Sequence, residues 1–128
     1  MHDVAIIGAG ELGGALANAL ARRDLVRTIR LVDETGNVAA GKALDIAQSA
    51  AIAGFSTSVT GATDLASAAH ACIFLIADCA TRGEWQGDAG LMLLKRLPVG
   101  RKALVICAGA SQRDLVERGG RELGFARL

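Results

Sequence analysis

Short apolar runs alternate with longer amphipathic stretches along the chain. Val4-Ala5-Ile6-Ile7 is β-branched at three of four positions and is stopped by Gly8. Further runs lie at Thr28 to Val32, around Ser58-Val59-Thr60, at Cys72-Ile73-Phe74-Leu75-Ile76 and at Ala103-Leu104-Val105-Ile106-Cys107. The two strongest runs do not alternate polar and apolar residues. Strands apolar on both faces belong in a sheet covered on both sides, which means parallel strands joined by crossover helices. The stretches between them supply the helices. Leu12, Leu16, Ala19, Leu20 and Arg23 share one 3.6-residue face, apolar until its last member. Gly41 to Ala51 forms a second helix with Leu44, Ala47 and Ala51 on one side, and Thr63-Asp64 caps a short one through Ala69. Leu91 to Leu97 ends before Pro98, and Ser111 to Leu123 carries Leu115, Val116 and Leu123. The expected architecture is α/β, a Rossmann-type doubly wound parallel sheet of about five strands. Asp78 to Gly90 is the least regular segment and reads as a surface loop. No repeat, low-complexity tract or linker interrupts the pattern.

Composition narrows the functional classes. The 128 residues include 25 alanines, 16 glycines and one proline; 52% are hydrophobic and 21% charged. Such a chain is globular and suits a single domain spanning 1–128, able to bury roughly two thirds of its unfolded surface. Fourteen basic and thirteen acidic side chains leave a net charge of +1, which offers no electrostatic case for nucleic acid or an anionic membrane. With 3% aromatics and no tyrosine, base-stacking platforms are not expected either. The longest apolar run, Ala71 to Ala77, is strand-sized and far short of the roughly 20 residues of a membrane helix. The amino terminus enters apolar structure without a basic region, so no signal peptide is expected. Cys72, Cys79 and Cys107 are odd in number and form no CxxC pair, consistent with small buried residues in a reducing, cytoplasmic setting. No metal site is expected.

The chemistry-bearing feature is Gly8-Ala9-Gly10-Glu11-Leu12-Gly13, which reads GxGxxG. In a chain that is one-eighth glycine the pattern alone carries little weight; its context carries more. It follows a strand-like run and opens an amphipathic helix. Gly8 then serves the tight turn, Gly10 lets backbone touch a pyrophosphate, and Gly13 allows close helix–strand packing. Free N–H groups around Ala9, Glu11 and Leu12 face the phosphates at the positive end of the helix. Asp33 ends the second strand, twenty residues after Gly13, where a carboxylate accepts from both hydroxyls of an adenosine ribose and repels a 2′-phosphate. Glu34-Thr35-Gly36-Asn37 supplies no arginine to welcome that phosphate. NAD is therefore expected over NADP.

Val4 to Gly10, Leu31-Val32-Asp33 and Gly41-Lys42-Ala43-Leu44-Asp45-Ile46 resemble the NAD-binding half of the malate and lactate dehydrogenase family. Gln48-Ser49-Ala50, Gly54-Phe55 and Thr60-Gly61-Ala62-Thr63-Asp64 continue the match without a gap, over about residues 3 to 76. The resemblance implies NAD as cofactor, with Gly8, Gly10, Gly13 and Asp33 as its contacts. It also places Ala77 and Asp78 beside the nicotinamide.

Beyond residue 76 the likeness decays. Ala77-Asp78-Cys79 stands where the family has Thr-Ala-Gly. Arg82 falls on the first substrate-loop arginine position, as a possible remnant, but Asp88 falls on the last. The segment between the fourth and fifth strands is about a dozen residues shorter than the family's, and the fifth strand ends Cys107-Ala108-Gly109-Ala110 instead of in Asn-Pro. The family's catalytic histidine and aspartate come from a second domain; this sequence stops at Leu128 before reaching them. His2 precedes the first strand, and His70 enters the fourth at the edge opposite a cofactor. The expectation is an NAD-binding domain without efficient hydride transfer on its own, self-associating into a homo-oligomer. Two alternatives stay open: a dehydrogenase half completed by a partner chain, and a non-enzymatic interaction module that keeps the fold.

Overall fold

The computed structural model describes residues 2–35, 37–100 and 103–123, with only the backbone of residue 123. Gly36 and the Leu123 side chain, both named above, lie outside the described residues.

Five strands form one parallel sheet: β1 (Asp3–Ile7), β2 (Thr28–Val32), β3 (Ser58–Ala62), β4 (Ile73–Ile76) and, after a two-stranded hairpin, β7 (Leu104–Cys107). Their spatial order is β3-β2-β1-β4-β7. The chain moves outward from β1 through β2 to β3, then returns to the other side of β1. The direction of winding therefore reverses between β1 and β4, where doubly wound sheets open a crevice at their carboxyl edge. The register aligns that edge. Ile7 pairs with Val32 on one side and with Ile76 on the other, so Gly8, Asp33 and Ala77 leave the sheet side by side.

Both faces are covered. Val4, Ile6, Ile29, Leu31 and Val59 point toward α1 (Glu11–Arg23) and α2 (Val38–Gln48). Ala5, Ile7, Phe74, Ile76 and Val105 point toward α4 (Gly87–Arg96) and α5 (Arg113–Leu123). Between α2 and β3 lies a single turn, α3 (Ala50–Ala53). Burying an Ile or Phe fully contributes roughly 1.5–3 kcal/mol, so these two layers are the main stabilising term. The helix faces are narrower than the leucine pattern implied. On α1 the fully buried stripe is Gly13, Ala17 and Ala21, which lets the helix lie close to the sheet; Leu12, Leu16 and Leu20 flank it and Ala19 is exposed. On α2 the buried stripe is Ala39, Ala43 and Ile46, and Leu44 faces outward.

Helix α4 begins four residues before Leu91, at Gly87. The short capped element is a 3-10 turn, Leu65–Ala68, whose cap Asp64 accepts from the Ala66 N–H at 3.0 Å. The segment from Asp78 to Gly90 is not a loose surface loop. Asp78–Cys79 and Gly83–Glu84 pair antiparallel as the hairpin β5–β6, and Cys79 is buried.

Candidate functional site

The site begins where β1 ends. Gly8 takes φ +112°, a conformation L side chains rarely adopt, and its N–H donates to the Val32 carbonyl at 2.7 Å. That turn aims the chain into α1. The helix then lies so near the turn that a Cβ on Gly13 would collide with the Gly8 carbonyl, and one on Gly8 would collide with the Asp78 backbone. Gly8 and Gly13 are thus required by neighbouring backbone, not for the sake of a ligand. The obstacle at Gly10 is the carboxylate of Asp78.

Asp78 has a specific position. Its Oδ1 accepts from the Gly13 N–H at 2.8 Å and its Oδ2 from the Leu12 N–H at 3.1 Å. Its own carbonyl accepts from the Gly10 N–H at 2.9 Å. Gly10 is the N-cap of α1 and has no side chain to satisfy the first free amides, so Asp78 caps the helix from 65 residues away.

Asp33 is equally engaged. It is 2% exposed. Its Oδ2 accepts from the N–H of Ala9 at 2.8 Å and of Ala80 at 2.9 Å, and its Oδ1 from the N–H of Thr35 at 2.8 Å. Burial pushes its carboxyl upward, but these three backbone donors outweigh that and hold it below the ordinary value. The carboxylate that the sequence assigns to ribose hydroxyls here ties β2, the glycine turn and the hairpin together.

Behind the turn, Lys42 reaches from α2 to the other polar edge of the same peptides. Its Nζ donates to the Ala9 carbonyl at 2.6 Å and the Gly10 carbonyl at 3.1 Å. The sequence pattern assigns Lys42 no role of its own. Its signal was a cation on the first turns of a helix whose inner stripe is alanine. Lys42→Met should remove two charge-assisted bonds and lower stability by about 2 kcal/mol. An unchanged urea midpoint would show that the turn needs no such brace.

Beside Asp33 lies a cavity of about 250 Å³, lined by Ile7, Val32, Thr63, Leu65, Trp85 and Met92, with Glu34, Arg82 and Arg96 also on its wall. Arg82 forms an ion pair with Glu34. Arginines therefore do stand near Asp33, delivered by the hairpin and α4, which a reading of Glu34 to Asn37 alone could not find. Ala77 is fully buried with its Cβ facing Gly13, below the crevice floor. Glu11 is exposed in the first turn of α1, and Asp88 on α4 is an exposed partner of Arg118 on α5. The hairpin's base is pinned by the buried Gln112, whose Nε2 donates to the carbonyls of Ala77 at 3.1 Å and Trp85 at 3.3 Å. Glu84 also accepts from the Ser111 N–H at 2.9 Å. Burial pushes the Cys107 thiol up to about 11, which leaves it protonated and unreactive at neutral pH. His70 is exposed at the start of β4, the amino edge of the sheet.

Residues 2–95 match the family model of the lactate/malate dehydrogenase NAD-binding domain. The chain belongs to this family. The match runs beyond residue 76, through the hairpin and almost to the end of α4. NAD is the cofactor of this domain family. Malate dehydrogenase of Anaplasma marginale is 40% identical over 67 residues, which is 52% of this chain and 21% of that protein. The Dehalococcoides mccartyi enzyme is 41% identical over 76 residues, 59% of this chain and 24% of its own length. The chain thus spans about a quarter or less of these curated relatives. Among solved structures, malate dehydrogenase of Aeropyrum pernix superposes with a TM-score of 0.82 at 23% identity, covering 97% of this chain and 42% of that one. Lactate dehydrogenase of Cryptosporidium parvum, solved with lactic acid and β-nicotinamide adenine dinucleotide, gives 0.76 at 23%, covering 96% and 42%. These likenesses show the shared fold.

Set against a dinucleotide, the backbone of this turn suits the ligand, while two carboxylates occupy its amides. The turn presents amides at a helix N-terminus, as a diphosphate requires. In this conformation, however, Asp78 holds the Leu12 and Gly13 amides and Asp33 holds that of Ala9.

Proposed function

We propose that this chain is a nicotinamide-dinucleotide-binding unit that does not transfer hydride efficiently by itself. The observation that carries this reading is the glycine turn between β1 and α1 with Asp33 at the adjacent strand end, in a chain of the NAD-binding family. The contacts assigned to the dinucleotide are Gly8, Ala9, Gly10, Glu11, Leu12, Gly13 and Asp33; Ala77 and Asp78, assigned by resemblance to the nicotinamide side, are here buried and bonded to the Leu12 and Gly13 amides, respectively. Efficient oxidation of a hydroxy acid needs a positioned base, worth about 10²–10⁴ in rate. Neither histidine supports such a role: His2 and His70 both sit toward the amino edge of the sheet, away from the crevice. Arg82 is paired with Glu34 instead of free to grip a carboxylate.

Calorimetry with NAD, NADH and NADP on the purified chain tests the binding claim. Trp85 is the sole tryptophan and lines the cavity beside Asp33, so bound NADH should quench its emission. NAD and NADH should register and NADP should bind more weakly. No heat and no quenching with any of the three would favour an interaction module instead. Oxaloacetate reduction by the chain alone at enzyme-like rates would overturn the non-catalytic part.

Self-association and cytoplasmic residence complete the reading. Leu44 and Ile52 on α2 and α3 are 57% and 93% exposed, an apolar surface that a second copy would cover. Light scattering that returned a monomer at high concentration would count against it. The three free cysteines fit a reducing compartment.

A further inference from the structure

We propose that Asp78 is a resident anion in the diphosphate position, and that a dinucleotide docks only after this carboxylate has left the amino end of α1. The inference rests on the NAD-binding reading above and concerns how that site is gated. Three observations on Asp78 support it. The two carboxylate oxygens of Asp78 accept from consecutive amides, Leu12 and Gly13, in the fork geometry a phosphate would use. The space a Cβ on Gly10 would enter, which the glycine leaves free for close approach, is filled by that carboxylate. The Asp78 backbone also lies against Gly8 and accepts from the Gly10 N–H, so the side chain is delivered by a fixed peptide and not by a wandering loop.

The remainder of the hairpin explains why the anion stays. Asp33 receives the Ala80 amide on one flank, and Gln112 holds Ala77 and Trp85 on the other. Lifting the whole hairpin breaks all of these. Rotating the Asp78 side chain breaks only two bonds, so release is a side-chain event on a rigid frame. The negative charge matters twice: it satisfies the helix end, and it repels an incoming diphosphate that must pass it. An apparent dissociation constant rises in proportion to the scarcity of the open form. The cavity beside Asp33 is formed without any such movement. The consequence is a site that discriminates against the phosphate portion of its ligand and not against its nucleoside portion.

The test compares the chain with Asp78→Ala and Asp78→Asn. Calorimetry should show NADH binding at least tenfold tighter to Asp78→Ala, with Asp78→Asn in between, since the amide keeps an acceptor but loses the charge. Adenosine, which has no phosphate, should gain less than twofold. In ligand-free protein, the Leu12 and Gly13 amide proton resonances should move upfield in both variants and exchange faster with solvent. Equal NADH affinity for all three proteins, with unmoved amides, would overturn the resident-anion proposal and leave NAD binding standing. A gain for adenosine as large as that for NADH would also overturn it, because it would report a loosened fold. Amides that respond while NADH binds none of the three would retain the anion and reject the NAD-binding reading. Asp78→Asn preserves shape and one of the two acceptors, which keeps the test valid where Asp78→Ala fails to fold.

Discussion

Gly13→Ala should be among the most damaging single-methyl changes available in this protein. The added Cβ would run into the carbonyl of Gly8, a backbone atom fixed by the Gly8 N–H bond to Val32 and by the positive φ of Gly8. Ala77 closes the other side at 3.5 Å. No rotamer change relieves the clash, so α1 must tilt away from the sheet and loosen the contacts of Ala17 and Ala21. Overpacking ordinarily costs about 1–3 kcal/mol, and a backbone obstacle belongs at or above the upper end. A loss of about 3 kcal/mol should lower Tm by on the order of 10 °C in a domain of this size. Gly41→Ala is the matched control. Gly41 sits in α2 with nothing near its missing Cβ, so alanine there should gain up to about 1 kcal/mol of helix propensity. Thermal melts in which Gly13→Ala matched the parent chain would remove the steric basis of the turn. Equal losses at the two glycines would do the same.

That contrast shows what the sequence could reveal. Positions 8, 10 and 13 were legible as a turn because a strand ended before them and a helix began after them, and local spacing carries that much. The β-branched runs located β1 and β2 to within a residue. Which alanine stripe faces the sheet was not legible, because in an alanine-rich helix leucine position is a poor guide to the buried side. Packing against a parallel sheet favours the smallest residues, Gly13, Ala17 and Ala21, and moves the leucines to the flanks. Gly61 shows the same limit. It was visible as part of a family block, but its physical reason is that α2 packs directly on it, with a Cβ blocked by the Ala39 backbone.

The hairpin at Asp78–Glu84 was the least legible part. Its composition suggests a loop, and its contacts are made with partners far away in sequence: Gly10, Leu12 and Gly13 on one side and Gln112 on the other. Sequence spacing does not encode such pairs. The substitution of Asp for a small residue after β4 was visible, but not its consequence. That follows only once the aligned ends of β1 and β4 bring Asp78 over the helix terminus.

Asp33→Ala should cost more than any surface change and should bear a pH signature. The carboxylate is buried and is the acceptor for the Ala9, Thr35 and Ala80 amides. Alanine leaves all three donors without that partner. A lost bond to a charged acceptor costs about 1.5–3 kcal/mol, and water entering the vacated space recovers part, so a net loss of about 4 kcal/mol is expected at neutral pH. The sign of the pH effect follows from the direction of the shift. Asp33 is held below the ordinary aspartate value of 3.8 in the folded chain, despite the opposing push of burial. At pH between its folded value and 3.8 the unfolded chain takes up the proton more readily, so acid favours unfolding. The stabilisation is fully present above about pH 4 and is lost as pH falls through the folded value. The stability gap between parent and Asp33→Ala, read from urea midpoints at fixed pH, should therefore be constant from pH 7 to 5 and narrow below 4. A gap that stayed flat down to pH 3 would mean that the charge of Asp33 does not hold the turn. A gap under 1 kcal/mol at pH 7 would mean that the three amides find other partners, and the crevice would then be free to use Asp33 for a ligand alone.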